Sequence, residues 1–238
     1  MNELIIFAAA LLPALVLWLY VWRQDRQPEP PSWLFRAVLY GVLISIPVSM
    51  MEMFVETLLF GSEGEAATLL GVTLDAFFVA ALPEEGFKLL ALWLVLRKNP
   101  YFDEHYDGIV YAACVGLGFA SVENVLYLFG NIESWQSVAV SRALLAVPGH
   151  YAFAILMGYY YSIHHFVDHS LRTTVCVLLV PVVAHGIYDT LAFSGQISPY
   201  LGGLGFFVLV YFCVKMHKFA RVKMLAMVEQ DKRMNMEA

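Results

Sequence analysis

The chain has 238 residues, 60% of them apolar and 14% charged, with a mean hydropathy of +0.67. A soluble domain carries about 25% charged residues, so most of this one faces lipid. The formal charge of -6 argues against a nucleic-acid partner, since phosphate binding is dominated by clustered Lys and Arg, and Cys114, Cys176 and Cys213, each inside an apolar run, give neither a disulfide framework nor a zinc ribbon.

A bilayer-spanning helix takes roughly 20 apolar residues. Runs of that kind predict seven transmembrane helices, at about 4–22, 33–60, 67–96, 109–130, 143–163, 173–193 and 197–212. Seven spans leave only short connections, which predicts an all-α polytopic membrane protein with a single helical domain over 1–238. The first run has only Glu3 as a charged residue before it and lacks a positive n-region, so it reads as a retained anchor. The stretch Arg23 to Ser32 holds three prolines and reads as a stiff extended loop. Near the end of the second run, Glu52 and Glu56 are expected to face outside water with Glu63 and Glu65, or to rim a cavity.

The third run would make a helix about 45 Å long, too long for one upright span, and Pro83 is where it is expected to break or kink. A half-helix starting there puts Glu84 and Glu85 at its positive dipole end. Asp75 lies in the first half of this run, either lined by water or part of the site. The fourth run carries Phe119, Glu123 and Asn124. Arg142 heads the fifth, which carries Pro148-Gly149-His150, and the sixth carries His185 and Asp189. His164, His165 and His169 fall in the short connection after the fifth run and read as a solvated turn. Beyond the seventh, the basic tail 215–238 opens with KMHKFARVKMLAMV, an interfacial helix or a solvated continuation of the last span.

Odd-numbered connections and the tail hold twelve Lys and Arg, the even-numbered connections one, and Lys88 lies inside a span. The positive-inside rule then puts the N-terminus outside and the C-terminus in the cytoplasm. An ionisable side chain deep in a span costs about 2.5 to 3.5 kcal/mol and must be paired, face a wet cavity or do chemistry. Counting residues at about 1.5 Å each from the ends of their runs brings Glu85, Glu123, His150 and His185 to nearly one depth. Inert pairs have no reason to converge in this way. Within the set, Glu84 and Lys88 are spaced to pair on one face, Glu85 points roughly 100° away, and Asp189 stands one turn from His185, placed to fix its tautomer.

Glu84-Glu85-x-x-Lys88, Phe119-x-x-x-Glu123-Asn124, His150 and His185-x-x-x-Asp189 resemble the signature of the PrsW family of intramembrane proteases, relatives of the CAAX-prenyl endopeptidases and bacteriocin-immunity-type membrane proteases. The resemblance covers about 69–193, taken as the catalytic core. In the CAAX relatives the second motif ends in histidine; Glu123 in its place favours the PrsW branch. The resemblance implies a bacterial cytoplasmic-membrane enzyme that makes the first cut in a single-span membrane protein such as an anti-sigma factor, in a response to envelope stress.

The residue set suits peptide hydrolysis in two ways. In one, Glu85, Glu123, His150 and His185 hold a Zn2+ ion, Glu84 is the general base and Lys88 tunes it. In the other no metal takes part: Glu84 or Glu85 activates water, and Asn124 with His150 or His185 stabilises the oxyanion. Two histidines and extra carboxylates exceed what a bare glutamate base needs, which favours the metal. Rivals from other classes are a proton-coupled transporter, which would also use buried ionisable groups, and a noncatalytic membrane scaffold; the lack of an internal repeat counts against the transporter.

Overall fold

A computed structural model describes residues 3–61 and 68–237, and Glu63 and Glu65 lie outside the described residues. In lipid the backbone must satisfy its own N–H and C=O groups, so each apolar run becomes a helix. α1 (Glu3–Gln24) and α2 (Pro31–Phe60) flank the proline loop, with Pro31 in the first turn of α2, where its missing N–H costs nothing. The third run forms α3 (Leu69–Leu74), a π-helical stretch (Asp75–Ala81) and α4 (Leu82–Leu96). α5 (Asp107–Gly130) follows. The fifth run comprises α6 (Trp135–Ser141), a second π stretch (Arg142–Ala146) and α7 (Val147–Phe166). α8 (Leu171–Phe193) and α9 (Pro199–Glu237) complete the bundle. Among the described residues there is no strand, and six helical runs are long and apolar enough to cross a bilayer. The remaining expected span is the run from α3 through α4, which carries Glu84, Glu85 and Lys88.

α4 begins at Leu82 with Pro83, Glu84 and Glu85 in its first turn, as expected, and the π stretch runs into it with Leu82 N–H bonding the carbonyl of Phe77, five residues back. One local expectation is corrected. Arg142 does not head the fifth span, because the helix already begins at Trp135 and Arg142 opens its π stretch.

α5 is the axis of the bundle. Within its most apolar window 72% of residues are buried, against 22% for α1 and 17% for α2, which face lipid. Small residues let neighbouring backbones close on it. A Cβ on Gly41 of α2 would fall 2.1 Å from the Val115 carbonyl oxygen, and one on Gly158 of α7 would fall 2.4 Å from that of Gly108.

The tail is a continuation of the last helix, docked on the bundle. Met216, Ala220, Met224 and Met227, three or four residues apart, are buried along one stripe of α9. Beyond them the Asp231 carboxylate accepts the backbone N–H groups of His105 and Tyr106 at 2.9 and 2.8 Å.

At the same end of the bundle, the loop carboxylate of Glu29 is buried and accepts from the Tyr111 hydroxyl. Burial pushes Glu29 up to about 7; the Tyr111 hydrogen bond opposes the shift and the charge of Asp25 adds to it. A carboxyl raised above its ordinary 4.5 favours the folded state most when protonated. That contribution is complete below the ordinary value and is lost as pH rises through the folded one. The Tm in detergent should therefore fall as pH rises from about 5 to about 8, and Glu29→Gln should flatten this slope, as read by thermal melts across that range.

Candidate active site

The first turns of α4 project Glu84, Glu85 and Lys88 inward, where burial is nearly complete: Glu85 is 0% and Lys88 3% exposed. A carboxylate there needs a partner. The Lys88 ammonium supplies one to both glutamates, 2.9 Å from Glu84 Oε2 and 2.8 Å from Glu85 Oε1, and it also lies 3.2 Å from His150 Nδ1. The ring of Phe119, on α5, sits 4.4 Å from this ammonium. Glu85 meets a further partner on another helix, its Oε1 3.0 Å from His185 Nδ1, while Lys88 also bridges it to Glu84. Gly186 permits that approach, since a Cβ there would stand 2.6 Å from the ring of Phe77 in the π stretch.

The two imidazoles are arranged alike. His150, on α7, turns Nδ1 inward and places Nε2 at 2.6 Å from Glu123 Oε2. His185, on α8, turns Nδ1 toward Glu85 and places Nε2 at 3.1 Å from Asp189 Oδ2. The ring of Phe153 stacks on His185 at 4.6 Å and fixes its plane. One ligand atom from each of Glu84, Glu85, His150 and His185 lies within 4.8 Å of the others, the one such group among the described residues. Glu85 Oε2 is buried beside it with no hydrogen-bond partner.

Glu123 and Asn124 are adjacent on α5 and so diverge by roughly 100°. Glu123 faces His150 and stands outside the four-residue group, its Oε2 3.0 Å from Arg142 Nη2. Asn124 turns toward α1, its amide donating to the Ala10 carbonyl at 2.7 Å and its oxygen accepting Arg142 Nε at 2.7 Å. Both polar ends of Asn124 are thereby engaged away from the cluster. His164 and His165 end α7, and the three loop histidines take no part in the group.

A cavity of about 630 Å³ opens onto the cluster. Glu84, Glu123, His150, His185 and Asp189 line it, with Glu85 and Lys88 behind them. Glu52, Glu56 and Asp75 line the same cavity, which is the rim alternative for the two α2 glutamates, while Asp75 stands on its wall outside the four-residue group. The link from Arg142 to Glu123 and Asn124 was not read from the sequence. Its signal is a lone arginine amid apolar residues, 18 positions from the asparagine it meets.

Acids and imidazoles gathered at a polar cavity inside an apolar helical bundle define a hydrolase that works within the membrane. The chain matches the PrsW family of intramembrane metalloproteases over residues 29–216. It is 35% identical to Protease PrsW of Geobacillus kaustophilus over 92% of each chain. It is 36% identical to Protease PrsW of Oceanobacillus iheyensis and 33% identical to that of Bacillus subtilis, in each case over 77% of this chain and 81% of the relative. No solved structure matches it. The chain belongs to the PrsW family, and it is an integral protease of the bacterial membrane. The transporter and scaffold readings give way to this assignment.

Proposed function

We propose that this protein is a zinc-dependent intramembrane protease that makes the first cut in a single-span membrane protein of the anti-sigma-factor kind, with its N-terminus outside and its C-terminus in the cytoplasm. The observation that carries the reading is the matched pair of imidazoles. Each has a carboxylate on Nε2 and turns Nδ1 toward the glutamate pair, that of His150 lying 3.8 Å from Glu84 Oε2 and that of His185 3.0 Å from Glu85 Oε1. Metal-ligating histidines almost always donate their outer ring N–H to a carboxylate, a backbone carbonyl or a water, and here both outer nitrogens meet carboxylates. The unpartnered Glu85 Oε2 supplies a further buried anionic donor.

Glu85, His150 and His185 are the ligands in this reading, and Glu123 and Asp189 are their outer partners. A divalent ion held by these three residues would supply Lewis-acid polarisation of the scissile carbonyl and a lowered pKa for the attacking water. Of the adjacent pair, Glu84 is the one that faces the cavity, and it acts as the base. It takes a proton from the attacking water as the water oxygen bonds to the carbonyl carbon, then gives it to the amide nitrogen as the C–N bond breaks. Lys88 compensates the charge of both glutamates and holds their spacing. Asn124 and Arg142 brace Glu123, so α1 supports the site through the Ala10 carbonyl.

The test is elemental analysis of the purified protein together with cleavage of candidate single-span proteins. We expect about one zinc per chain, loss of cleavage on chelation and its return with added zinc. Cleavage that survives complete removal of metal would instead support water activation by Glu84 alone.

A further inference from the structure

Exposed apolar side chains mean little in a protein surrounded by lipid, but a concave apolar face that continues into the catalytic cavity is different. Such a face lies between α6 with its π stretch and the middle of α9, a groove of about 1100 Å³. Its walls include Val140, Leu144, Val210 and Val214, all exposed. Ser141, Leu145 and Phe206 line both this groove and the cavity that holds the glutamates and histidines. The junction is thus formed partly by the π stretch that carries Arg142, and π-helical turns inside α-helices are frequent at functional sites.

The groove has the length of a membrane segment. From Phe206 to Arg221 α9 rises about 22 Å at 1.5 Å per residue, most of a hydrocarbon core about 30 Å thick. At the far end Lys218 and Arg221 line it. His217 lies there too, its Nε2 2.9 Å from the Pro148 carbonyl, and pins α9 to the start of α7.

We propose that this groove receives the transmembrane helix of the substrate and passes its scissile segment into the cavity between Leu145 and Phe206. Lys218 and Arg221 favour a substrate with acidic residues where its helix leaves the membrane on that side. The proposal rests on the protease reading above. It commits to a substrate helix as occupant because the groove continues into the catalytic cavity, which a groove for bound lipid has no reason to do.

The test uses the full chain carrying Glu84→Gln, reconstituted in phosphatidylcholine vesicles, with a photo-crosslinking residue at Leu144, at Val210, or at Phe35 on the opposite, α1–α2 side. The probe is a synthetic single-span peptide of about 20 apolar residues with an acidic flank, beside the same peptide with a lysine flank. Capture from positions 144 and 210 is expected to exceed capture from 35 by at least about tenfold, to favour the acidic flank, and to fall about tenfold when Val214→Trp fills the groove. Equal capture from position 35, crosslinks to lipid alone, or capture indifferent to Val214→Trp would overturn the proposal. Failure of the protease reading itself shows separately, as unchanged cleavage of membrane substrates by the Glu84→Gln protein without the crosslinker.

Discussion

Cleavage by Glu84→Gln is expected to fall by about 10³-fold, within the range that general-base catalysis contributes, while bound zinc and thermal stability stay near wild type. Glutamine keeps the shape and one oxygen near Lys88, but it cannot take a proton from water. Glu85→Gln is expected to abolish cleavage as well, for another reason. Its carboxylate is wholly buried between Lys88 and His185 and lies behind the cavity wall, so the substitution removes an anionic ligand and metal is lost along with activity. Turnover and metal content measured on the same preparations separate the two roles. A Glu84→Gln protein that loses its metal, or a Glu85→Gln protein that keeps both metal and activity, would require the two glutamates to exchange roles.

The second large effect concerns the outer carboxylates. Glu123→Gln and Asp189→Asn are each expected to weaken zinc affinity by about 10–100-fold, the usual cost of removing a hydrogen-bond partner behind a ligating histidine. Cleavage should be regained at saturating zinc, which distinguishes these residues from ligands. Glu123→Gln should have the larger effect: Glu123 Oε2 stands 2.6 Å from His150 and is itself tied to Arg142, whereas Asp189 stands 3.1 Å from His185. Zinc titrations with a competing chelator read both. If neither variant differs from wild type, the two carboxylates do not hold the imidazoles.

Much of this was legible in the amino acids, for identifiable reasons. Lipid leaves the backbone little choice but helix, so apolar run length located the six helices long and apolar enough to span, and the seventh expected run is helical from α3 through α4. The cost of burying charge made Glu84, Glu85, Lys88, His150, His185 and Asp189 conspicuous, and depth counting brought four spans to one level. What was not legible depends on helix phase and on contacts between helices. The π stretches at 75–81 and 142–146 shift the register by one residue, and no composition rule announces them. For that reason Arg142 read as the start of a helix. Glu123 and Asn124 are neighbours in sequence, and only the packing of α5 against α7 on one side and α1 on the other assigns one to an imidazole and the other to a brace. Glu52, Glu56 and Asp75 lacked a deciding signal because their place depends on how wide the cavity opens.

The lysine wedged between the two glutamates bears on the biogenesis of the enzyme. Inserting two bare anions into the middle of a bilayer would stall the nascent bundle, but here the newly made protein brings its own counter-ion in the same helical turn. Assembly need not wait for a metal, as it does in small domains whose fold is held by one. Under the proposed metal chemistry, maturation would therefore run in two stages, a folded and inactive precursor first and its activation by a divalent ion afterwards.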